Sequence, residues 1–330
     1  MPVITIRQSI QNALKAEMKQ NDQVVVLGEE VAEYQGAYKA TEGLLQEFGP
    51  TRVIDTPITE HGFTGLAVGM AMEGMNPVVE FMTFNFSMQA IDHIINSAAK
   101  TLYMSGGQIT CPIVFRGPNG IAANVAAQHS QCYASWYAHC PGLIVIAPYD
   151  ANSTYQLLRL AIQNPNPVIF LEHELIYGHK FDFDPKEAAK IEIGKAHIGK
   201  TGSDVTLVGF SASMQKIYEA AEILEKQNIS AEVIDILTIK PLDIETIVNS
   251  AKKTGRVVTV EEGWAFAGIG SEISAQITEN AFEFLDSPVI RVASKDVPLP
   301  YAKNLEAAAI PSTTEIVNAA RKTMYLEQWK

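Results

Sequence analysis

Short runs of apolar, mostly β-branched residues recur along the chain and alternate with segments of helical periodicity. The clearest runs are Val24–Leu27, Arg52–Asp55, Val78–Phe81, Ile113–Phe115 and Val168–Leu171. They are nearly continuous in apolar residues instead of alternating with polar ones, which is typical of parallel strands covered by helices on both faces. This feature predicts an α/β fold built on parallel sheets.

One stretch interrupts this alternation. From about His179 to Gly202 the sequence is charged and contains Gly and Pro, and apolar runs resume at Val205–Val208. A chain of 330 residues is long enough for two separate cores. We therefore predict two parallel-sheet domains, residues 1–180 and 203–330, joined by a linker at 181–202.

Composition excludes several classes of partner. The formal net charge of -12 disfavours nucleic acid and anionic membranes, which are bound by clusters of Lys and Arg. No apolar run approaches the roughly 18 residues of a membrane span. The N-terminus lacks the pattern of a secretory or transit leader, and an odd count of 3 Cys fits a reducing compartment. We expect a cytoplasmic protein, or a mature form in the mitochondrial matrix.

Three familiar signatures are present only in part. The segment Gly209–Ser213 lacks the last Gly of a serine-hydrolase nucleophile elbow, and Gly268–Gly270 lacks the third Gly of a dinucleotide-binding turn. Zinc is an alternative for one cluster of imidazole and thiol side chains, although its spacing matches no common zinc finger. That cluster consists of His129, Cys132, His139 and Cys140.

Two residues stand where α/β proteins commonly place chemistry. Glu60 lies at a strand-to-helix junction before an apolar helix, so its carboxylate is buried and costly unless something binds it. A charge favoured by the helix dipole is the alternative. His129 follows the Gly-rich turn Arg116–Gly120 and is either a core histidine or an acid–base group.

Several longer segments, taken together, resemble one family. They are Gly28–Val31, Asp55–Glu60, Glu80–Ala90, Phe115–Gly120 and Ala127–Gln131. These closely resemble beta subunits of pyruvate dehydrogenase, in the thiamine-diphosphate-dependent 2-oxo acid dehydrogenase family, and the resemblance continues through Gly263-Trp264 and Asp296–Lys303. It implies a transketolase-like pyrimidine-binding domain followed by a transketolase C-terminal-like domain.

The same resemblance implies roles for individual residues. Glu60 falls on the glutamate that hydrogen-bonds the aminopyrimidine ring of thiamine diphosphate, and His129 falls on an active-site histidine. Around the pyrimidine the resemblance places Met82, Phe86 and Gln89, whose alternative role is core packing. A potassium site built largely from backbone carbonyls is implied at Ile113, Ala161, Ile162, Asn164 and Asn166.

Partners follow from the resemblance and from one missing motif. Enzymes of this kind hold magnesium on the diphosphate with a Gly-Asp-Gly segment, which this chain lacks. The resemblance therefore implies a separate alpha subunit that holds the magnesium, an alpha2-beta2 heterotetramer, and docking on a dihydrolipoyl acetyltransferase core. Asp286 is a candidate for that docking contact.

Other interpretations stay open at this stage. Glu29 and Glu30 fall either on an acidic passage between two cofactors or on solvated surface, and His61 is assigned no catalytic role. A beta subunit of a branched-chain 2-oxo acid or acetoin dehydrogenase is the closest alternative in function. A noncatalytic assembly subunit is the alternative of a different class.

Overall fold

The chain forms two compact units in a computed structural model that describes residues 1–326. The first unit consists of Met1–Asn119 and Trp136–Ile193. The second consists of Gly120–Ser135 and the described residues from Gly194 onward. Residues 120–135 lie within the first domain that the sequence predicts. They group with the second because Ile121 donates its backbone N–H to Glu262 and Asn124 donates to Glu306.

The first unit begins at β1 and ends after α7. Its strands are β1 (Val3–Thr5), β2 (Val24–Gly28), β3 (Val53–Asp55), β4 (Asn76–Glu80), β5 (Val114–Pro118), β6 (Ile144–Ile146), β7 (Val168–Glu172) and β8 (Lys180–Asp182). Its helices are α1 (Ile6–Gln20), α2 (Leu44–Phe48), α3 (Glu60–Met72), α4 (Ala99–Met104), α5 (Ala134–Ala138, at the boundary with the second unit), α6 (Ala151–Gln163) and α7 (Pro185–Ala188).

A parallel sheet with the order β6-β7-β5-β4-β2-β3 forms the centre of the first unit. Its strands are buried almost throughout, as their continuous apolar sequences predict. In register, Gly28 lies opposite Glu80 and Glu80 lies opposite Arg116. The carboxyl ends of β2, β4 and β5 therefore bring charged residues to one edge of the sheet.

The segment from Phe86 to Thr101 has helical periodicity but is only partly α-helical. The chain instead forms a 3-10 helix at Phe84–Ala90, a π-helix at His93–Ala98 and then α4. Polar side chains bond to nearby backbone here: the Thr83 side chain caps the first segment, and the Ser87 hydroxyl donates to the Phe84 carbonyl at 2.7 Å. Such local bonds compete with regular helix geometry.

The second unit contains the remaining elements. Its strands are β9 (His197–Lys200), β10 (Val205–Gly209), β11 (Ala231–Asp235), β12 (Thr238–Lys240), β13 (Val257–Trp264) and β14 (Ile290–Ser294). Its helices are α8 (Ser213–Glu225), α9 (Ile244–Thr254), α10 (Ile269–Ala281), α11 (Lys303–Ala309) and α12 (Thr313–Thr323).

A five-stranded sheet with the order β14-β13-β10-β11-β9 organises the second unit. Four strands run parallel, whereas β9 pairs antiparallel with β11. The strand β9 lies inside the segment 181–202 that was predicted to be a linker. Its sequence, His-Ile-Gly-Lys, is short and largely exposed, so it lacks the apolar run by which the central strands could be recognised.

No helix among residues 1–326 is long and apolar enough to cross a membrane.

Candidate active site

Two buried carboxyl groups lie at the edge of the first sheet. Glu29 directly follows β2 and is 6% exposed, while Glu60 opens α3 and is 5% exposed. Burial, followed by the negative charge and the hydrogen bonding of Glu60, raises the pKa of Glu29 to about 7. Oε1 of Glu29 is buried and has no hydrogen-bond partner within the described chain. The pair can hold and release a proton near neutral pH.

Asp55 fixes the loop that carries Glu29. Its carboxylate accepts the backbone N–H groups of Ala32 at 2.7 Å and Glu33 at 3.0 Å. The N–H of Thr56 donates to the Gly28 carbonyl at 3.0 Å, which joins the ends of the neighbouring strands β2 and β3. Because Glu60 follows β3 closely, these bonds bring the loops of Glu29 and Glu60 side by side.

The residues predicted to surround the pyrimidine lie on one segment after β4. Met82 and Phe86 are half-buried, and Gln89 is exposed. The neighbouring Phe84 anchors the segment, since its ring packs edge-on against Phe81 at 5.6 Å between centroids and against Tyr137 at 5.4 Å. The 3-10 helix Phe84–Ala90 packs on α3, so the structure brings this segment to the helix that begins with Glu60.

Beside these residues lies an ion network that the sequence analysis did not identify. Arg116 is fully buried and donates to Glu172 through Nε at 2.5 Å and Nη2 at 2.7 Å, and to Glu80 through Nη1. The Tyr177 hydroxyl also donates to Glu172, at 2.5 Å. Burial lowers the pKa of Arg116, but the charges of Glu172 and Glu80 outweigh burial and leave the pKa above its ordinary value.

One signal in the sequence could have revealed this network. Glu80 and Glu172 end strands that are mostly apolar, and Arg116 lies at the centre of a third such strand. The order of the strands decides which charges meet, and that order could not be read from the chain without the sheet topology.

His129 belongs to the second unit. It ends the 3-10 turn Ala127–His129 and is half-buried. The preceding Ala126 has φ 68 and ψ -162, a conformation that residues other than glycine rarely adopt. Strain of this kind is common in segments that carry functional groups.

Four of the five residues predicted to bind potassium lie in the last turn of α6 or just after it, and the fifth, Ile113, directly precedes β5. The carbonyls of Ala161 and Ile162 accept hydrogen bonds from the Asn164 N–H and the Asn76 amide, both at 3.3 Å. The Ile113 carbonyl accepts the Val168 N–H at 2.9 Å. A carbonyl oxygen has two lone pairs, so each can still bind a cation, and the negative end of the helix dipole favours one.

The side-chain oxygen of Asn164 accepts two hydrogen bonds from Asn166. This oxygen accepts the Asn166 backbone N–H at 2.9 Å and the Asn166 amide at 3.2 Å. Asn166 therefore donates with both of its nitrogens toward Asn164. The chemistry of these oxygens fits a hard cation such as potassium.

The remaining candidates have simpler surroundings. Asp286 forms an ion pair with Arg256 at 2.8 Å and keeps 55% of its side chain exposed. Within residues 1–326 no group of three or more His, Cys, Asp and Glu side chains could hold a metal, which disfavours the zinc alternative. Ser211 is 7% exposed, and the ring of the exposed His61 lies 4.3 Å from that of His93 between centroids, tilted by 34°.

Both units match known families. Residues 3–180 match the family model described as "Transketolase, pyrimidine binding domain", and residues 194–316 match "Transketolase, C-terminal domain". A curated relative from Rickettsia bellii, "Pyruvate dehydrogenase E1 component subunit beta", is 59% identical over 324 residues, covering 98% of this chain and 99% of the relative. The chain belongs to the family of pyruvate dehydrogenase E1 beta subunits.

Further relatives extend this family across bacteria and mitochondria. A beta subunit from Rhizobium meliloti is 57% identical over 98% of this chain and 71% of its own length, and a mitochondrial one from Dictyostelium discoideum is 56% identical over 97% and 90%. A solved structure titled "Split gene transketolase, inactive beta4 tetramer" has a TM-score of 0.81 at 26% identity, covering 98% of this chain and 99% of that one. The predicted transketolase-like fold is confirmed, and so is the predicted E1 beta family.

Proposed function

We propose that this chain is the beta half of the pyruvate dehydrogenase component that decarboxylates pyruvate on thiamine diphosphate and passes the acetyl group to the lipoyl group of a dihydrolipoyl acetyltransferase core. The observation that carries the proposal is the buried Glu29–Glu60 pair, with the Met82–Gln89 segment packed on the helix that Glu60 begins. Membership of the E1 beta family supports the choice of pyruvate over branched-chain 2-oxo acids or acetoin.

Glu60 holds the aminopyrimidine ring by a hydrogen bond between its carboxyl group and a ring nitrogen. Its burial supports this role, since a ligand that bonds the carboxylate compensates for the cost of removing it from water. Glu29 lies next to it with a pKa of about 7, so its carboxyl oxygen can take up or release a proton beside Glu60 near neutral pH. When bound, thiamine diphosphate supplies the nucleophilic carbon that attacks the keto group of pyruvate.

The segment after β4 orients the ring. Phe86 offers a partly exposed aromatic face for stacking, while Met82 and Gln89 line the adjacent positions. The buried Phe84 and the bond between the Ser87 and Tyr137 hydroxyls at 2.6 Å hold this segment rigid. A rigid support favours stacking, because less conformational entropy is lost when the ring binds.

His129 contributes an imidazole nitrogen that holds or moves a proton during decarboxylation and acetyl transfer. Potassium is bound by Ile113, Ala161, Ile162, Asn164 and Asn166, and it stabilises the C-terminal end of α6.

Magnesium and the diphosphate are held by an alpha subunit in an alpha2-beta2 heterotetramer, because this chain has no Gly-Asp-Gly segment. Asp286 faces the acetyltransferase core. The relatives fit a cytoplasmic location in a bacterium or a mitochondrial matrix location in a eukaryote.

Substrate preference tests the proposal. The chain is assembled with its alpha subunit, and steady-state kcat/KM is measured with pyruvate and with 2-oxoisovalerate. We expect pyruvate to be preferred by at least roughly tenfold, since extra methyl groups must fit a site shaped for a smaller side chain. A higher kcat/KM with 2-oxoisovalerate would assign the chain to a branched-chain enzyme instead.

A further inference from the structure

The segment that carries His129 is under backbone strain at two residues that are not glycine. Asn124 has φ 57 and Ala126 has φ 68. Backbone of this kind is disfavoured for residues with a Cβ, more for Ala126 than for Asn124, so the conformation persists only where surrounding contacts hold it in place. The contacts of Gly120–Ser130 within the second unit therefore determine where His129 is held.

Contacts at Ile121 hold the beginning of this segment. Its side chain is 3% exposed and packs in an apolar cluster with Leu299 and Ala309. Its backbone N–H donates to Oε2 of Glu262 at 3.3 Å. The Gly120 N–H donates to the Gln131 carbonyl at 2.9 Å, which ties the two ends of the segment together.

A side-chain hydrogen bond from Asn124 holds the strained middle of the segment. The Asn124 amide donates to Oε1 of Glu306 at 3.0 Å. Glu306 lies on α11, the helix that also supplies Ala309 to the apolar cluster. Asn124 is five positions before His129 and immediately precedes the Val125–Ala126 step into the 3-10 turn.

The position of Glu306 beside Asn124 leaves part of its carboxyl group buried and unsatisfied. Its Oε2 is buried and finds no hydrogen-bond partner in the described part of the chain. Burial raises the pKa of Glu306, while a backbone hydrogen bond from Asn124 and the charge of Lys303 act in the opposite direction. A half-buried carboxyl group with one unsatisfied oxygen is unusual where its only task is packing.

We infer that Glu306 is a positioning residue for the acetyl-transfer reaction: through Asn124 it fixes the strained segment that presents His129. This inference rests on the proposed function, because it presupposes that His129 serves the reaction. Glu306 touches neither substrate nor cofactor in this role. Its effect is to keep the His129 imidazole where it can exchange a proton.

The test compares Glu306→Ala with Glu306→Gln and Asn124→Gly in the alpha-beta assembly. Gln keeps an oxygen that accepts from Asn124, Ala removes it, and Gly removes the Asn amide while tolerating the positive φ. Amide hydrogen exchange is measured over residues 121–131, and kcat and KM are measured with pyruvate. Glu279→Ala is the control, since Glu279 is exposed on α10, away from this segment.

The expected result has three parts. Glu306→Ala speeds exchange over 121–131 and lowers kcat by roughly tenfold or more with KM little changed, because misplacement of a catalytic group acts mainly on the chemical step. Glu306→Gln and Glu279→Ala stay close to the unmodified protein. Asn124→Gly removes only the side-chain bond, so it shifts exchange and kcat in the same direction as Glu306→Ala, and the double variant Asn124→Gly/Glu306→Ala is no worse than Glu306→Ala alone.

Unchanged exchange in Glu306→Ala, or equal defects in the Ala and Gln variants, would overturn the inference. It would also be overturned if the segment loosened while kcat stayed the same. A separate His129→Ala variant keeps the two proposals apart: full turnover in that variant contradicts the proposed role of His129, and the exchange data then decide by themselves whether Glu306 anchors the segment.

Discussion

At the scale of single residues, the Glu29 and Glu60 carboxyl groups define the site. Glu60 could be singled out in the sequence, because a carboxylate at the start of an apolar helix has to be buried or bound. The pairing of Glu60 with Glu29 could not be predicted from the sequence. That contact depends on β2 and β3 lying side by side and on Asp55 fixing the loop after β2.

Replacing Glu60 tests its proposed role. Glu60→Gln keeps the size of the side chain but removes the ionisable carboxyl group, so we expect turnover of the alpha-beta assembly to fall on the order of 100-fold. Glu73→Gln is the matched control, since Glu73 is an exposed carboxylate at the other end of the same helix. Retained activity in Glu60→Gln would favour the noncatalytic assembly subunit instead.

The raised pKa of Glu29 predicts that its contribution to the stability of the folded protein falls as pH rises. Its pKa is raised from 4.5 to about 7 in the folded protein, so the folded state holds this proton more tightly than the unfolded state does. The resulting stabilisation is fully present below pH 4.5 and is lost as pH rises through about 7.

The variant Glu29→Gln removes this titration. Thermal melting at pH 5 and pH 8 should show a smaller loss of Tm on going to pH 8 in Glu29→Gln than in the unmodified protein. The exposed Glu33→Gln, four residues along the same loop, should keep the original pH dependence. An identical pH dependence in Glu29→Gln would show that the Glu29 proton does not contribute.

At the scale of secondary-structure elements, the Arg116 network joins the centre of β5 to the carboxyl ends of β4 and β7. The sequence predicts these strands from their apolar runs, and the structure confirms them. The sequence gives no comparable signal for β9, which is polar and short. It gives none either for the change from 3-10 to π geometry between Phe84 and Ala98. Local side-chain hydrogen bonds and edge pairing decide those elements, and both depend on tertiary contacts.

Removing the centre of the network should be costly. Arg116→Met leaves Glu80 and Glu172 buried without their cation, so we expect a loss of about 3–5 kcal/mol in the free energy of unfolding. Urea denaturation of the purified protein measures it. Lys190→Met breaks an exposed pair with Glu187, whose side chains are 68% and 59% exposed, and should cost less than about 1 kcal/mol.

A compensated variant makes this prediction sharper. If the loss comes from uncompensated charge, adding Glu80→Gln and Glu172→Gln to Arg116→Met should restore part of the stability. Arg116→Met as stable as Lys190→Met, or no recovery in the triple variant, would contradict the assignment of the network as an electrostatic unit.

At the scale of the whole molecule, the division into two units explains most of what the sequence could and could not predict. The two transketolase family models match residues 3–180 and 194–316, and the boundary between them lies in the interruption that begins at His179. The membership of residues 120–135 could not be predicted from chain order, because it depends on the bonds of Ile121 and Asn124 with distant residues of the second unit.

The central claim is that the chain supplies half of a shared site. One measurement tests it most directly: thiamine-diphosphate binding by calorimetry, together with pyruvate-dependent reduction of an artificial acceptor, for the chain alone and for the chain mixed with its alpha subunit. Without a Gly-Asp-Gly segment to hold the metal and diphosphate, we expect binding and turnover only in the mixture. Tight binding or turnover by the chain alone would contradict the account.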